Sequence, residues 1–144
     1  MRFFLDENES QVVLEPLRLL YMSHEFVLWQ DEGLGGLDDI PLIRELSRRR
    51  FDALITRDKN QLSDPDERRA LIDGHVHWIG HKEPEPGLAG IASLVAGYIS
   101  AFPHILDGLN AAQETTAFHV SRVPREPSQR VRTRPIRVSG SASV

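Results

Sequence analysis

Asp6, Asp39 and Asp58 are the residues whose type and position along the chain carry chemistry. Asp6 closes the short apolar run Arg2 to Leu5, and Asp58 follows the apolar DALIT stretch of residues 52–56. Asp39 opens an amphipathic segment behind the glycine-rich QDEGLGGL. Carboxylates brought together raise the cost of ionising one another unless a cation or a proton compensates. A hard divalent ion such as Mg²⁺ or Mn²⁺ is the natural compensator, because it prefers carboxylate oxygens, keeps several waters and accepts a phosphate oxygen from a substrate. It lowers the pKa of a bound water, orients that water in line with a phosphodiester and offsets charge on the leaving oxygen, which is nuclease chemistry. Each acid also has a plainer reading. Asp39, or its neighbour Asp38, caps a helix, and Asp58 is a turn residue in RDKN. For Asp6 the plain reading is weaker, since a carboxylate directly after a buried strand is costly if unpaired.

Whether the three acids meet depends on the elements that carry them. Arg2 to Leu5 reads as a buried strand, residues 12–22 as a helix with Pro16 in or near its first turn, and EFVLW (25–29) as a second strand. The glycine-rich stretch then reads as a flexible loop. A helix follows from Asp38 or Asp39, with Pro41 in its first turn, an apolar stripe at Leu42, Ile43 and Leu46, and Arg48 to Arg50 at its negative end. DALIT (52–56) is a third strand, and a helix from Ser63 or Asp64 with Pro65 in its first turn runs to Gly74. HVHWI (75–79) alternates as a fourth strand, and a long apolar helix covers about residues 87–106. Residues 118–123 add an edge strand, and no element is assigned beyond Pro124. Strands separated by helices imply a mainly parallel sheet covered on both faces. Every strand then ends on one edge, where ligands collect, and the same topology brings Asp6, Asp39 and Asp58 to that edge.

A chain of 144 residues at 40% hydrophobic content is one domain with its own core. The absence of cysteine excludes disulfides and thiolate metal sites and fits a reducing compartment. The N-terminus turns acidic too soon for a signal peptide, and no window comes near the roughly 20 apolar residues that span a bilayer. A cytoplasmic location without a membrane partner is therefore expected. The net charge of −4 hides an asymmetry, because the segment from Ser121 onward holds six arginines against one glutamate. An acidic body bears a basic tail, which is either a solvated extension or a handle for a polyanion. His75, His77 and His81 invite a zinc or nickel reading, since i and i+2 on a strand share a face, but such histidines more often line the polar side of a half-buried strand. Trp29 and Trp78 are expected to be packing residues rather than base-stacking platforms. GLGG lacks the spacing of a phosphate cradle and reads as a hinge.

RFFLDEN, SHEFV, GLGGLDDIPLI and LITRDKN, in that order over roughly residues 1–82, resemble the PIN-like domain family, and in particular its VapC-like toxin branch. The resemblance implies a PIN-like α/β three-layer sandwich around a mainly parallel sheet of four to five strands. A PIN-like domain would occupy residues 1–110, and 111–144 would form a C-terminal extension with an edge strand and the basic tail. The resemblance further implies a Mg²⁺- or Mn²⁺-dependent endoribonuclease, a toxin neutralised by a cognate antitoxin protein, with RNA as substrate and a homodimer as an assembly common in the family. Carried over by position, Asp6, Asp39 and Asp58 are its metal-binding catalytic acids. Asp38 rivals Asp39 as the second acid, and Glu7, Asn8, Thr56 and Arg57 are supporting residues. Thr56 would orient a carboxylate or a water, Arg57 would meet a phosphate, and Asp64 or Asp66 would supply a fourth acid. The alternative reading is a non-catalytic PIN-like module that binds RNA or protein.

Overall fold

Short apolar runs rich in aromatic and β-branched side chains form strands β1 (Arg2–Leu5), β2 (Glu25–Leu28), β3 (Ala53–Thr56) and β4 (His77–Gly80), with a short edge strand β5 (Ala117–His119). The computed structural model describes residues 1–6, 11–57, 60–124 and 126–138. All five strands run parallel in the order β2-β1-β3-β4-β5. Between them lie α1 (Leu14–Leu20) behind a 3-10 turn, α2 (Trp29–Glu32), α3 (Asp39–Arg48), α4 (Asn60–Ser63), α5 (Pro65–Gly74) and α6 (Leu88–Ala111), and α7 (Pro127–Arg130) follows β5. The α/β class, the parallel sheet and its two helical covers are as the sequence predicts.

Strand alternation sends side chains to two cores. Phe3, Leu5, Phe26, Ala53, Ile55 and Ile79 pack under α1 and α6, against Leu14, Leu17, Tyr98, Phe102 and Ile105. Phe4, Val27, Leu54 and Trp78 face the other way, into Leu42, Ile43 and Leu46 of α3 and Leu71 of α5. By the same alternation Asp6 and Thr56, one residue beyond Leu5 and Ile55, turn toward the α3/α5 side. At the opposite end of α3, Arg49 donates to Glu45 at 3.0 Å and to Glu32 at 2.7 Å. The Arg48 guanidinium first, and then that of Arg49, hold the Glu45 carboxyl down at about 2, while the Arg49–Glu32 bond ties the helix to α2.

Several boundaries depart from the sequence expectation. Trp29 leaves β2 and starts a helical turn, so Gln30 to Glu32 belong to α2 rather than to the loop. Gly33 then closes α2 in a left-handed conformation. α4 was not foreseen. β4 starts two residues late, because α5 runs to Gly74 and His75 adopts a left-handed C-cap with φ 53°. His75 and His77 therefore do not form an i, i+2 pair on a strand. His77 instead accepts a bond from the Thr116 N–H at 3.1 Å. The edge strand begins one residue early and is shorter than predicted.

α6 continues to Ala111 although Pro103 lies inside it. Proline removes the N–H that would have bonded the carbonyl four residues earlier, which belongs to Ile99. The Tyr21 hydroxyl donates to that carbonyl at 2.7 Å, so the gap is filled from α1's C-terminal end. By length and composition α6 is also the one helix among the described residues apolar enough to cross a membrane, with a mean hydropathy of 1.5. That corrects the expectation that no window comes close. Seven residues of α6, Gly90 to Leu109, are buried along one stripe, the arrangement of a helix that covers a core.

Candidate active site

The strand order reverses at β1, whose two neighbours β2 and β3 leave in opposite directions, and the crevice beyond the carboxyl ends of β1 and β3 is the topological switch point of this sheet. Asp6 stands there. Its N–H continues the ladder to the Ile55 carbonyl at 3.1 Å, which fixes its backbone against β3. Its carboxylate Oδ2 accepts from the Thr56 hydroxyl at 3.0 Å. Both residues are buried, Thr56 completely and Asp6 to 5% exposure. The hydroxyl is a neutral donor, and its bond contributes to orienting the carboxylate.

Asp39 reaches the same edge from α3. It is the first residue of that helix, behind Asp38 in the N-cap position. Asp38 is exposed, and its side chain makes no cap bond. The half-buried Asp39 accepts at Oδ1 from the Gln61 amide nitrogen at 3.2 Å. Gln61 sits on α4, immediately past β3, and is wholly inaccessible. Its Oε1 makes no hydrogen bond among the described residues. The expected Asp39 thus meets the segment after β3, through a partner that the sequence reading did not single out.

Asp58, Glu7 and Asn8 lie outside the described residues. Arg57 is exposed and pairs with Glu83 at 3.2 Å. Asp64 is a helix cap, accepting from the N–H groups of Asp66 and Glu67, and Asp66 is exposed in the first turn of α5. The acid of that turn that enters the interior is Glu67, 9% exposed. His81, the residue after β4, turns to the α6 side and meets the Tyr98 hydroxyl at 2.6 Å, remote in role from His75 and His77. Among the described residues no three acidic or histidine side chains gather closely enough for one ion. The carboxylates of Asp6 and Asp39 supply oxygen donors, the type that hard divalent cations prefer.

Residues 1–81 match the family described as PIN like domain. The chain belongs to the PIN-like domain family. PIN-like domains are a nuclease-type superfamily and typically use divalent metal ions, so the chemistry of this family is hydrolysis of nucleic acid. The match ends at His81, and β5, α6 and the basic tail lie beyond it. No curated protein and no solved structure matches the chain.

Proposed function

We propose that this protein is a metal-dependent endoribonuclease, the toxin of a toxin-antitoxin system acting in the cytoplasm. The observation that carries the reading is the pair of oriented carboxylates at the switch point, Asp6 held by Thr56 and Asp39 held by Gln61. Asp6 and Asp39, joined by Asp58, are the residues that would hold Mg²⁺ or Mn²⁺. When bound, such an ion supplies Lewis-acid polarisation of a phosphoryl oxygen and a more acidic water. The chain's own part is orientation. Thr56 helps fix the rotation of the Asp6 carboxylate, Gln61 that of Asp39, and the complete burial of Thr56 and Gln61 keeps water from competing for these bonds. Arg57, exposed next to Thr56, exchanges Glu83 for a substrate phosphate. Attack by water at phosphorus leaves a 5′-phosphate and a 3′-hydroxyl. Glu7 and Asn8, by their place in the family's motif, would be supporting residues.

An acidic crevice of this kind suits an antitoxin that lays a basic or apolar segment across it, and a homodimer is the assembly expected of the free toxin. The second reading, a PIN-like module that binds without cutting, draws on the lack of a three-acid cluster among the described residues. One assay separates the two. Purified protein is incubated with labelled RNA and Mn²⁺ beside Asp6→Asn and Asp58→Asn. Cleavage by the wild type alone supports the enzyme. Equal cleavage by all three proteins, or none by the wild type, refutes it.

A further inference from the structure

A cavity of about 530 Å³ opens beside the acidic edge, on the α6 side of the sheet. Its floor is the first half of α6, where small residues let two loops come close. A Cβ on Gly90 would lie 1.7 Å from the Glu85 carbonyl oxygen, and one on Gly97 would lie 3.4 Å from that of Ser121. One wall begins at the buried His81, and the other is the segment after β5. The interior is mainly apolar, with Pro84, Leu94, Val120 and Val123 in its lining, while the charged lining residues are Lys82, Arg122 and Arg130 against Glu85. A surplus of cations around an apolar hollow, in a chain of net charge −4, selects an anionic ligand with a flat apolar part.

Position narrows the ligand further. Thr56 and Gly80 are register partners on β3 and β4, and His81 is the next residue. With strands roughly 5 Å apart and a rise of roughly 3.3 Å per residue, the backbone of His81 lies roughly 6 Å from that of Thr56. A single strand draped over the sheet edge would have one phosphate beside Asp6 and the neighbouring nucleotide over this cavity.

We propose that the cavity binds one nucleotide of the RNA strand, its base against the apolar wall and its phosphate on Lys82, Arg122 and Arg130. The inference rests on the nuclease reading for its biological substrate, but binding is measurable without catalysis. It also gives the basic tail a task, since Arg122 and Arg130 both belong to that tail.

The test uses the full chain carrying Asp6→Asn, in EDTA. It is titrated with each of the four nucleoside 5′-monophosphates, with the matching nucleosides and with inorganic phosphate, and followed by amide chemical shifts. At least one nucleotide is expected to shift Ser93, Gly97 and Ser121, and to bind about tenfold or more tighter than its nucleoside or phosphate. Arg122→Glu, at an exposed position, should weaken that binding by about tenfold. Ala96→Phe, which fills the hollow from an exposed helix position, should remove it. The inference is overturned if no nucleotide shifts these amides in the millimolar range, if phosphate binds as well as the nucleotides, or if both variants bind like the parent. Nucleotide binding here without RNA cleavage by the wild type would sink only the nuclease. Cleavage with an empty cavity would sink only this site.

Discussion

Thr56→Val removes one hydroxyl from a wholly buried position and keeps the shape of the side chain, so its effect reports on what that hydroxyl does, the bond to Asp6 included. Hydrogen bonds to charged groups contribute about 1.5–3 kcal/mol, and here the acceptor is a carboxylate 5% exposed, with no bulk water to take the donor's place. For a chain of this size that loss lowers Tm by about 5–10 °C. The functional effect follows from orientation. Without the Thr56 donor to orient the carboxylate, Mn²⁺ affinity should fall by about 10–100-fold, the range found when a partner of a metal ligand is removed. Two assays run in parallel, urea unfolding in EDTA followed by tryptophan fluorescence, and Mn²⁺ titration followed by RNA cleavage. Thr56→Ser is the control, because it keeps the donor and should restore affinity while losing a methyl group's packing. If Thr56→Val unfolds at the wild-type urea concentration and binds Mn²⁺ like the wild type, the bond neither stabilises nor positions Asp6. The orientation reasoning would then fail.

Asp6→Asn and Asp39→Asn should each depress Mn²⁺-dependent RNA cleavage by at least about a hundredfold, and Asp38→Ala should leave it nearly unchanged, which initial rates will decide. Tyr21→Phe should cost about 1–2 kcal/mol by orphaning the Ile99 carbonyl, and Pro103→Ala should abolish most of that cost by returning a helical donor. A double-mutant cycle in urea with no coupling would disprove the link. Gly80→Ala would place a methyl group 2.2 Å from the Trp78 ring and 2.7 Å from the Thr56 carbonyl oxygen, costing about 1–3 kcal/mol or more in thermal unfolding. Burial pushes the His77 imidazole below its usual 6.5, against the opposing charge of Asp52. The unfolded chain therefore takes up this proton first, and stability that is full above about pH 6.5 is lost as the pH falls toward the folded value. His24 is lowered with the same sign, so the readout is the difference between wild type and His77→Gln in Tm from pH 7.5 to 5.

The sequence displays what depends on local pattern. Apolar runs ending in acids mark β1 and β3, and Ser63-Asp64-Pro65 marks the start of α5 to within a residue, since cap chemistry is local. Thr56, expected to orient a carboxylate or a water, donates to Asp6 because β1 and β3 pair in parallel and end side by side. Features made by partners distant in sequence are hidden. Gln61 reads as one polar residue among several in KNQLS, and only the fold shows it sealed beneath Asp39. Pro103 reads as a helix stop near the predicted end at about residue 106, and nothing in its neighbourhood announces that Tyr21 supplies the missing donor. His75 looks like a strand residue because HVHWI alternates, yet a left-handed cap placed it before the strand began. Glu67 resembles any acid at a helix start, and its burial depends on how α5 packs.

The cover that α6 gives to one side of the sheet fixes when the folded domain can form. A nascent chain emerging from the ribosome through His81 has all three acids, but Phe3, Leu5, Ile55 and Ile79 have no lid until Tyr98, Phe102 and Ile105 are synthesised. The segment bearing the family's sequence signature therefore lacks one of its two covers until α6 has left the ribosome, and the crevice at the switch point can close into its final form only after that.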